Sequence, residues 1–220
     1  MHRLRIKFDR GNELKYLSHL DWMRLWDRAL RRAGLPSAYS EGFSPHPHIS
    51  FASPLAVGFI SDAEIMDIFF AHRISPDTFI RKVRPQVPPG INIIEVFPVN
   101  PQAPSLQSSL RMAEYEVEIE TDLSPEKTID GINRLLASEK IPWHHSRDTG
   151  ERFYDLRPLI DDVWMAEITA EKVKIGMRLR CDALGTGRPE QVIKALGYQG
   201  FPTSIKRTKL IFNDTDRRGG

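Results

Sequence analysis

Residues 3–8, RLRIKF, alternate: Leu4, Ile6 and Phe8 fall on one side of an extended chain, and Arg3, Arg5 and Lys7 on the other. That is the mark of a half-buried strand. The period then changes. Trp22, Leu25, Trp26, Ala29, Leu30 and Ala33 recur at the i, i+3, i+4, i+7 spacing of one helix face, with Ser18 or Asp21 as cap and Gly34 as stop. HISFAS and AEIMDIFF read as extended segments. SPDTFIRKV opens a second helix, with Ser75 as cap and Pro76 at the first helical position, and INIIEVFPV closes the run as a strand.

The order β-α-β-β-α-β then recurs. EYEVEIE sets Tyr115, Val117 and Ile119 against Glu114, Glu116, Glu118 and Glu120. SPEKTIDGINRLLASEK repeats the Ser-Pro-acid start. KVKIGMRLRC alternates Lys172, Lys174, Arg178 and Arg180 with apolar residues, a short helix begins at Pro189, and TSIKRTKLIF is a last strand. The pattern predicts an α+β chain of two tandem ferredoxin-like units with antiparallel sheets, the first strand of each lying between the third and fourth. The first unit spans 1–104, the second 110–213, and 214–220 is expected to be a disordered tail. The stretch NPQAPSLQSSL marks the boundary. Glutamates of strand 114–120 are expected to face lysines and arginines across the sheet, so the basic runs are assigned to cross-strand pairing before any nucleic-acid surface.

Composition narrows the function. The 220 residues are 40% hydrophobic and 27% charged, and 31 basic against 29 acidic residues leave a formal charge of +2, which by itself neither favours nor excludes a polyanion. No apolar run approaches the roughly 18 residues of a membrane span. The first eight residues alternate charge with apolar character, unlike a signal peptide, and the single cysteine, Cys181, fits a reducing compartment. A cytoplasmic chain without membrane association is therefore expected. One cysteine does not hold an iron–sulfur cluster, and neither a P-loop nor a GxGxxG turn is present.

The segment AYSEGFSPHPHISFASPL, residues 38–55, concentrates candidate chemistry. His46 and His48 occupy alternate positions of an extended chain and could share a metal, but no third ligand is indicated, so no metal site is assigned. Pro45 and Pro47 stiffen the segment. Gly42 suits a turn with positive φ. Tyr39 and Phe43 flank that bend beside Ser40 and Glu41, where aromatic rings can stack on unpaired bases; the plainer alternative makes them core residues. At the start of the first helix, Ser18, His19 and Asp21 lie where unpaired N–H groups attract anions, or serve only as a cap. Arg24, Arg28, Arg31 and Arg32, with Asp27 among them, form a face suited to phosphates, or a solvated surface. GTGRPEQ brings Arg188 to the turn before a helix, which can offer N–H groups to a phosphate. Asp155 and Arg157 of YDLRPLI read as structural, and His144 and His145 as loop residues without partners.

The stretch LKYLSHLDWMRLWDRALRRAGLPSAYSEGFSPHPHISFASPLAVGFISDAEIMDI, with YDLRPLI and GRPEQV further on, closely resembles a bacterial family of radical-SAM-linked proteins of undetermined function, found as separate chains or fused behind a radical-SAM enzyme. Members often carry Asn and Lys where this chain has Ser44 and His48. The resemblance implies a radical-SAM partner carrying an iron–sulfur cluster and S-adenosylmethionine, no cofactor in this chain, and interest in Ser18, His19, Asp21, Arg24, Tyr39, Ser40, Gly42, Phe43, Pro45, His46 and Pro47. Three functions follow. The first is an RNA-binding or substrate-presenting accessory subunit. The second is a metal-independent endoribonuclease, by analogy with tandem-ferredoxin enzymes, with His46, His19 and Tyr39 as candidates for moving the 2′-OH proton. The third is a protein adaptor docking on the radical-SAM partner.

Overall fold

A computed structural model describes residues 1–39, 45–121, 124–147, 150–169 and 171–213. The chain divides into two compact units, Met1–Leu110 joined by Phe212 and Asn213, and Arg111–Ile211.

The first unit runs β1 (His2–Arg10), α1 (His19–Arg32), β2 (Ile49–Phe51), β3 (Ile60–Phe70), α2 (Pro76–Val83), β4 (Ile93–Val99) and the single turn α3 (Leu106–Ser109). Strand β1 lies between β3 and β4, antiparallel to both, and β2 lies on the far side of β3. The register sets Leu4 against Ile68 and Ile6 against Met66. These residues and Phe8 meet Trp22, Trp26 and Leu30 of α1 and Phe79 and Val83 of α2 in one buried cluster. The Phe8 ring meets Trp26 edge-on at 5.0 Å. Ser18 caps α1 by accepting from the Asp21 amide, Ser75 caps α2 by accepting from Thr78, and Gly34 takes a positive φ of 67° just past the end of α1.

The opposite face of β1 departs from the expected alternation. Arg3 and Arg5 are buried, at 2% and 8% exposure. Asp67 of β3, opposite Arg5 in the register, accepts from Arg3 at 2.5 Å and from Arg5 at 2.9 Å. Arg3 also donates to the carbonyls of Ala103 and Pro104. The Pro-rich stretch read as a boundary covers this face of the sheet, and so turns solvent positions into an internal ion cluster. Lys7, the next residue in phase, pairs with Glu95 at half-exposed positions.

The second unit runs β5 (Leu110–Glu120), α4 (Pro125–Ala137), β6 (Pro142–Arg147), β7 (Gly150–Asp155), β8 (Ile160–Ile168), β9 (Lys172–Asp182), the two-residue β10 (Gly185–Thr186), α5 (Pro189–Ala195) and β11 (Ser204–Phe212). Strand β5 lies between β9 and β11, with β8 and β10 pairing to β9. Glu114 faces Arg178 and Glu118 faces Lys174 in the register. Arg178 reaches Glu114 at 2.9 Å, while Lys172 takes Glu118 at 2.9 Å and Lys174 takes Glu167 of β8 at 2.9 Å. The basic run of β9 is thus engaged inside the sheet. Strands β6 and β7 form a separate two-stranded hairpin. His144 and His145, expected in a loop, are therefore strand residues, and the His144 ring stacks on Phe153 at 4.5 Å. Among the described residues, no helix is long and apolar enough to cross a membrane.

Candidate functional site

The N-terminus of α1 forms the first part of the site. The Ser18 hydroxyl donates to Asp21 Oδ2 at 2.7 Å while its oxygen accepts from the Asp21 amide. That hydroxyl is the main reason the Asp21 carboxyl sits below its ordinary pKa, with Arg24 and Arg28 adding to the effect. Ser18 and Asp21 therefore close on each other as a cap. His19 is exposed, with its ring edge-on to Phe51 at 5.5 Å. It borders a narrow cavity lined also by Phe8, Arg10, Trp22, Phe51 and Glu64.

Two of those residues escaped the sequence reading. Arg10 and Glu64 are 3% and 5% exposed. Arg10 donates to the carbonyls of Lys15 and Leu17 and lies over the Trp22 ring at 4.9 Å. The signal was present in the phase: Arg10 continues the inward series Leu4, Ile6, Phe8, and Glu64 begins the inward series Met66, Ile68, Phe70. A charged residue in phase with an apolar face is either paired within the fold or placed for a ligand. The Trp22 Nε1–H, also buried, meets no hydrogen-bond partner among the described residues.

The second part is the solvent face of α1. Arg31 holds Asp27 at 3.0 Å and Arg32 donates to the Gln86 carbonyl at 2.7 Å. Arg24 stands 3.7 Å from Asp21 with its side chain 70% exposed, and Arg28 lends one N–H to the Arg24 carbonyl. Long cations so lightly engaged keep most of their donors for a partner. Tyr39 borders this face. Its hydroxyl donates to Asp27 Oδ1 at 3.4 Å, its backbone bridges to Pro47, and the base of the excursion is pinned where the His48 amide donates to Ala38 and the Phe69 amide to His48. His46 is exposed beside this bridge. Ser40, Gly42 and Phe43 lie outside the described residues.

Not every candidate joins this face. Tyr39 sits beside Asp27, eight residues of α1 beyond His19, a rise of about 12 Å. His19 and Tyr39 are thus not assembled as one proton-transfer pair. His48 packs its ring on Phe69 at 4.0 Å, and burial, then the charges of His46 and Arg3, pushes its pKa below the ordinary histidine value. Among the described residues, no three His, Cys, Asp or Glu side chains gather as metal ligands. Arg188 belongs to the second unit, at the N-cap position of α5. The Gly187 amide donates to the Arg180 carbonyl at 2.9 Å, and a Cβ at Gly187 would meet the Leu159 carbonyl oxygen. Gly187 thus permits close approach of the chain to Leu159. Asp155 accepts from the Ile141 and Arg157 amides, fixing the turn that follows β7.

Comparison with solved structures finds the fold elsewhere. A chain of "Crystal Structure of a Cbf5-Nop10-Gar1 Complex" superposes with a TM-score of 0.53 at 12% identity, over 94% of this chain and 48% of that one. A chain of "Structure of H/ACA RNP bound to a substrate RNA containing 2'-deoxyuridine" gives a TM-score of 0.49 at 11% identity, over 94% and 46%. The chain spans about half the length of these proteins, and at 12% identity the first likeness is one of fold. No curated protein matches. A family model described as "Uncharacterized protein conserved in bacteria (DUF2344)" matches residues 3–189.

Proposed function

The chain belongs to the bacterial family of uncharacterized proteins DUF2344, and we propose that it is an RNA-binding, substrate-presenting accessory subunit of a radical-SAM modification enzyme. One observation carries this reading: the solvent face of α1, where the exposed Arg24 and Arg28 share the helix that the half-exposed Tyr39 reaches through Asp27. Guanidinium groups suit phosphate and an accessible aromatic ring suits an unpaired base. The Tyr39–Asp27 contact holds ring and arginines to one surface. In this reading each unit is ferredoxin-like, α1, Tyr39 and residues 45–48 form the recognition face, and His46 and His19 contact bases at its margins.

The partner enzyme would carry the iron–sulfur cluster and S-adenosylmethionine. A cluster held by several thiolates does not fit this chain, whose one cysteine, Cys181, is buried in β9. The fold likeness to Cbf5-Nop10-Gar1 carries no part of the reading, since one fold hosts many functions.

The test is fluorescence anisotropy of a labelled single-stranded RNA with the purified chain at low and moderate salt, beside Arg24→Ala, Arg28→Ala and His46→Ala, with the RNA rerun on a gel. Salt-sensitive binding weakened by the arginine variants, with intact RNA, is the expected outcome. Cleaved RNA abolished by His46→Ala would transfer the role to a nuclease. Absence of binding at low salt, with a complex formed on the radical-SAM enzyme alone, would make the chain a protein adaptor.

A further inference from the structure

The second unit holds a cavity of about 230 Å³, below the roughly 300–1,000 Å³ of a drug-sized site and suited to one small planar group. Its wall includes Trp143 and His144 of β6, Arg188, Glu190 and Lys194 around α5, and Phe201. The hairpin is tied to α5 where the Tyr154 hydroxyl donates to Gln191 Oε1 at 2.7 Å.

Three features converge there. The first is aromatic. Phe201 is 88% exposed, with the Lys194 ammonium 5.9 Å from its ring centre. A ring this open at a cavity mouth is a stacking platform for a flat π-system. The second is polar. Trp143 Nε1 and Glu190 Oε2 are both shielded from solvent and meet no hydrogen-bond partner among the described residues. One can only donate, and the other, as a carboxylate, can only accept. Buried polar atoms in that state call for a complementary group. The third is charge. Arg188 and Lys194 line the same cavity, while two carboxylates nearby are engaged elsewhere: Glu151 lies 3.5 Å from His144, and Asp155 accepts from two backbone amides. Glu190 is left as the carboxylate lining the cavity.

Aromatic walls, a carboxylate beside an N–H donor, and cations alongside are the requirements of a nucleotide whose base edge offers donors next to an acceptor. Guanine does so: O6 accepts, and N1–H with the N2 amino group donates. Uracil and cytosine place an acceptor at O2, where a carboxylate would repel it, and adenine offers a single donor group. We propose that this cavity binds the guanine of a nucleotide, with Glu190 and Trp143 turning their buried polar atoms into the cavity as the base enters, the carboxylate accepting from its N1–H and amino group and the indole donating to O6, Phe201 stacking on the ring, and Arg188 and Lys194 on the phosphate. The ligand is either a free guanine nucleotide or an unpaired guanosine of RNA. The inference deepens the RNA reading by naming a base, and rests on that reading only for the second of these sources.

Calorimetry with GMP, AMP, CMP and UMP, and with pentaribonucleotides bearing one central G or one central A, tests it on the whole chain. GMP or the G-containing pentamer is expected to bind about tenfold or more tightly than its adenine counterpart, as loss of a charge-assisted contact implies. Glu190→Gln, which keeps the side-chain shape, should remove that preference while leaving the far-UV spectrum unchanged, and Phe201→Ala should weaken both bases alike. Binding of the pentamer but not of GMP assigns the source to RNA; binding of GMP alone assigns it to the free nucleotide. Equal affinity for guanine and adenine unaffected by Glu190→Gln overturns the inference, as does absence of any nucleotide binding. Failure of the α1 reading shows as salt-sensitive RNA binding untouched by Arg24→Ala, and failure of this one as a base preference untouched by Glu190→Gln, so the two give different results.

Discussion

Asp67 shows how far a single buried carboxylate reaches. At 1% exposure it receives both Arg3 and Arg5, and Asp67→Ala would leave two guanidinium groups buried without it. Urea unfolding should show a loss of about 3–5 kcal/mol, the usual result of breaking a buried pair from one side, as a lower midpoint with little change in slope. Ser18 acts at the surface. Ser18→Ala removes the α1 cap, and about 0.5–2 kcal/mol of stability should go with it; the Asp21 carboxyl should return upward to the ordinary aspartate range, as read by NMR titration. Because the folded pKa of Asp21 is depressed, its contribution is complete above the ordinary aspartate value and is lost as pH falls through the folded one. His48 has the same sign for a different reason. Burial favours its neutral form, so its contribution is full above the ordinary histidine pKa and declines as pH falls through the depressed folded value. His48→Phe keeps a ring on Phe69 and should flatten that mildly acidic slope in a thermal melt. At this scale much was legible: Ser75 and Pro76 could be assigned, and the α1 cap narrowed to Ser18 or Asp21, from local pattern because caps are made within four residues. Arg3 and Arg5 were misplaced because their partner lies more than sixty residues away.

Among the elements, β5 and β9 follow the sequence most closely. Their alternation fixes which side chains share a face, and the opposite-charge faces meet as Glu114–Arg178 and Glu118–Lys172. A double-mutant cycle on Glu114 and Arg178 should return a coupling of about 0.2–1 kcal/mol, shrinking as salt is raised. Gly176 carries a constraint that alternation does not show. A Cβ there would run into the Trp164 indole of β8, so Gly176→Ala should destabilise by about 1–3 kcal/mol through overpacking, seen as a lower melting temperature. The β6–β7 hairpin was missed because PWHHSR and GERFYD lack a clean apolar period. Backbone pairing between the two strands, with His144 stacked on Phe153, makes a strand from residues that carry little strand signal one at a time.

For the whole molecule, the two proposed surfaces should separate under salt. Each phosphate contact to a single strand contributes about 0.7 to the slope of log affinity against log salt, so Arg24→Ala and Arg28→Ala should each lower that slope by about this amount without changing base preference. Glu190→Gln should change base preference at nearly constant slope. The chain's sequence by itself determined the α+β class, the serine caps of α1 and α2, and the arginine-rich face of α1. Those depend on contacts within a few residues or on a repeating period, and both are written locally. Tertiary structure alone decided that Arg3, Arg5 and Arg10 are interior cations, that Tyr39 reaches Asp27 rather than His19, and that Gly187 serves the sheet. It also decided that Trp143, Glu190 and Phe201 meet at one cavity. Burial and pairing between residues tens of positions apart follow from how the elements pack, and no local period carries that information.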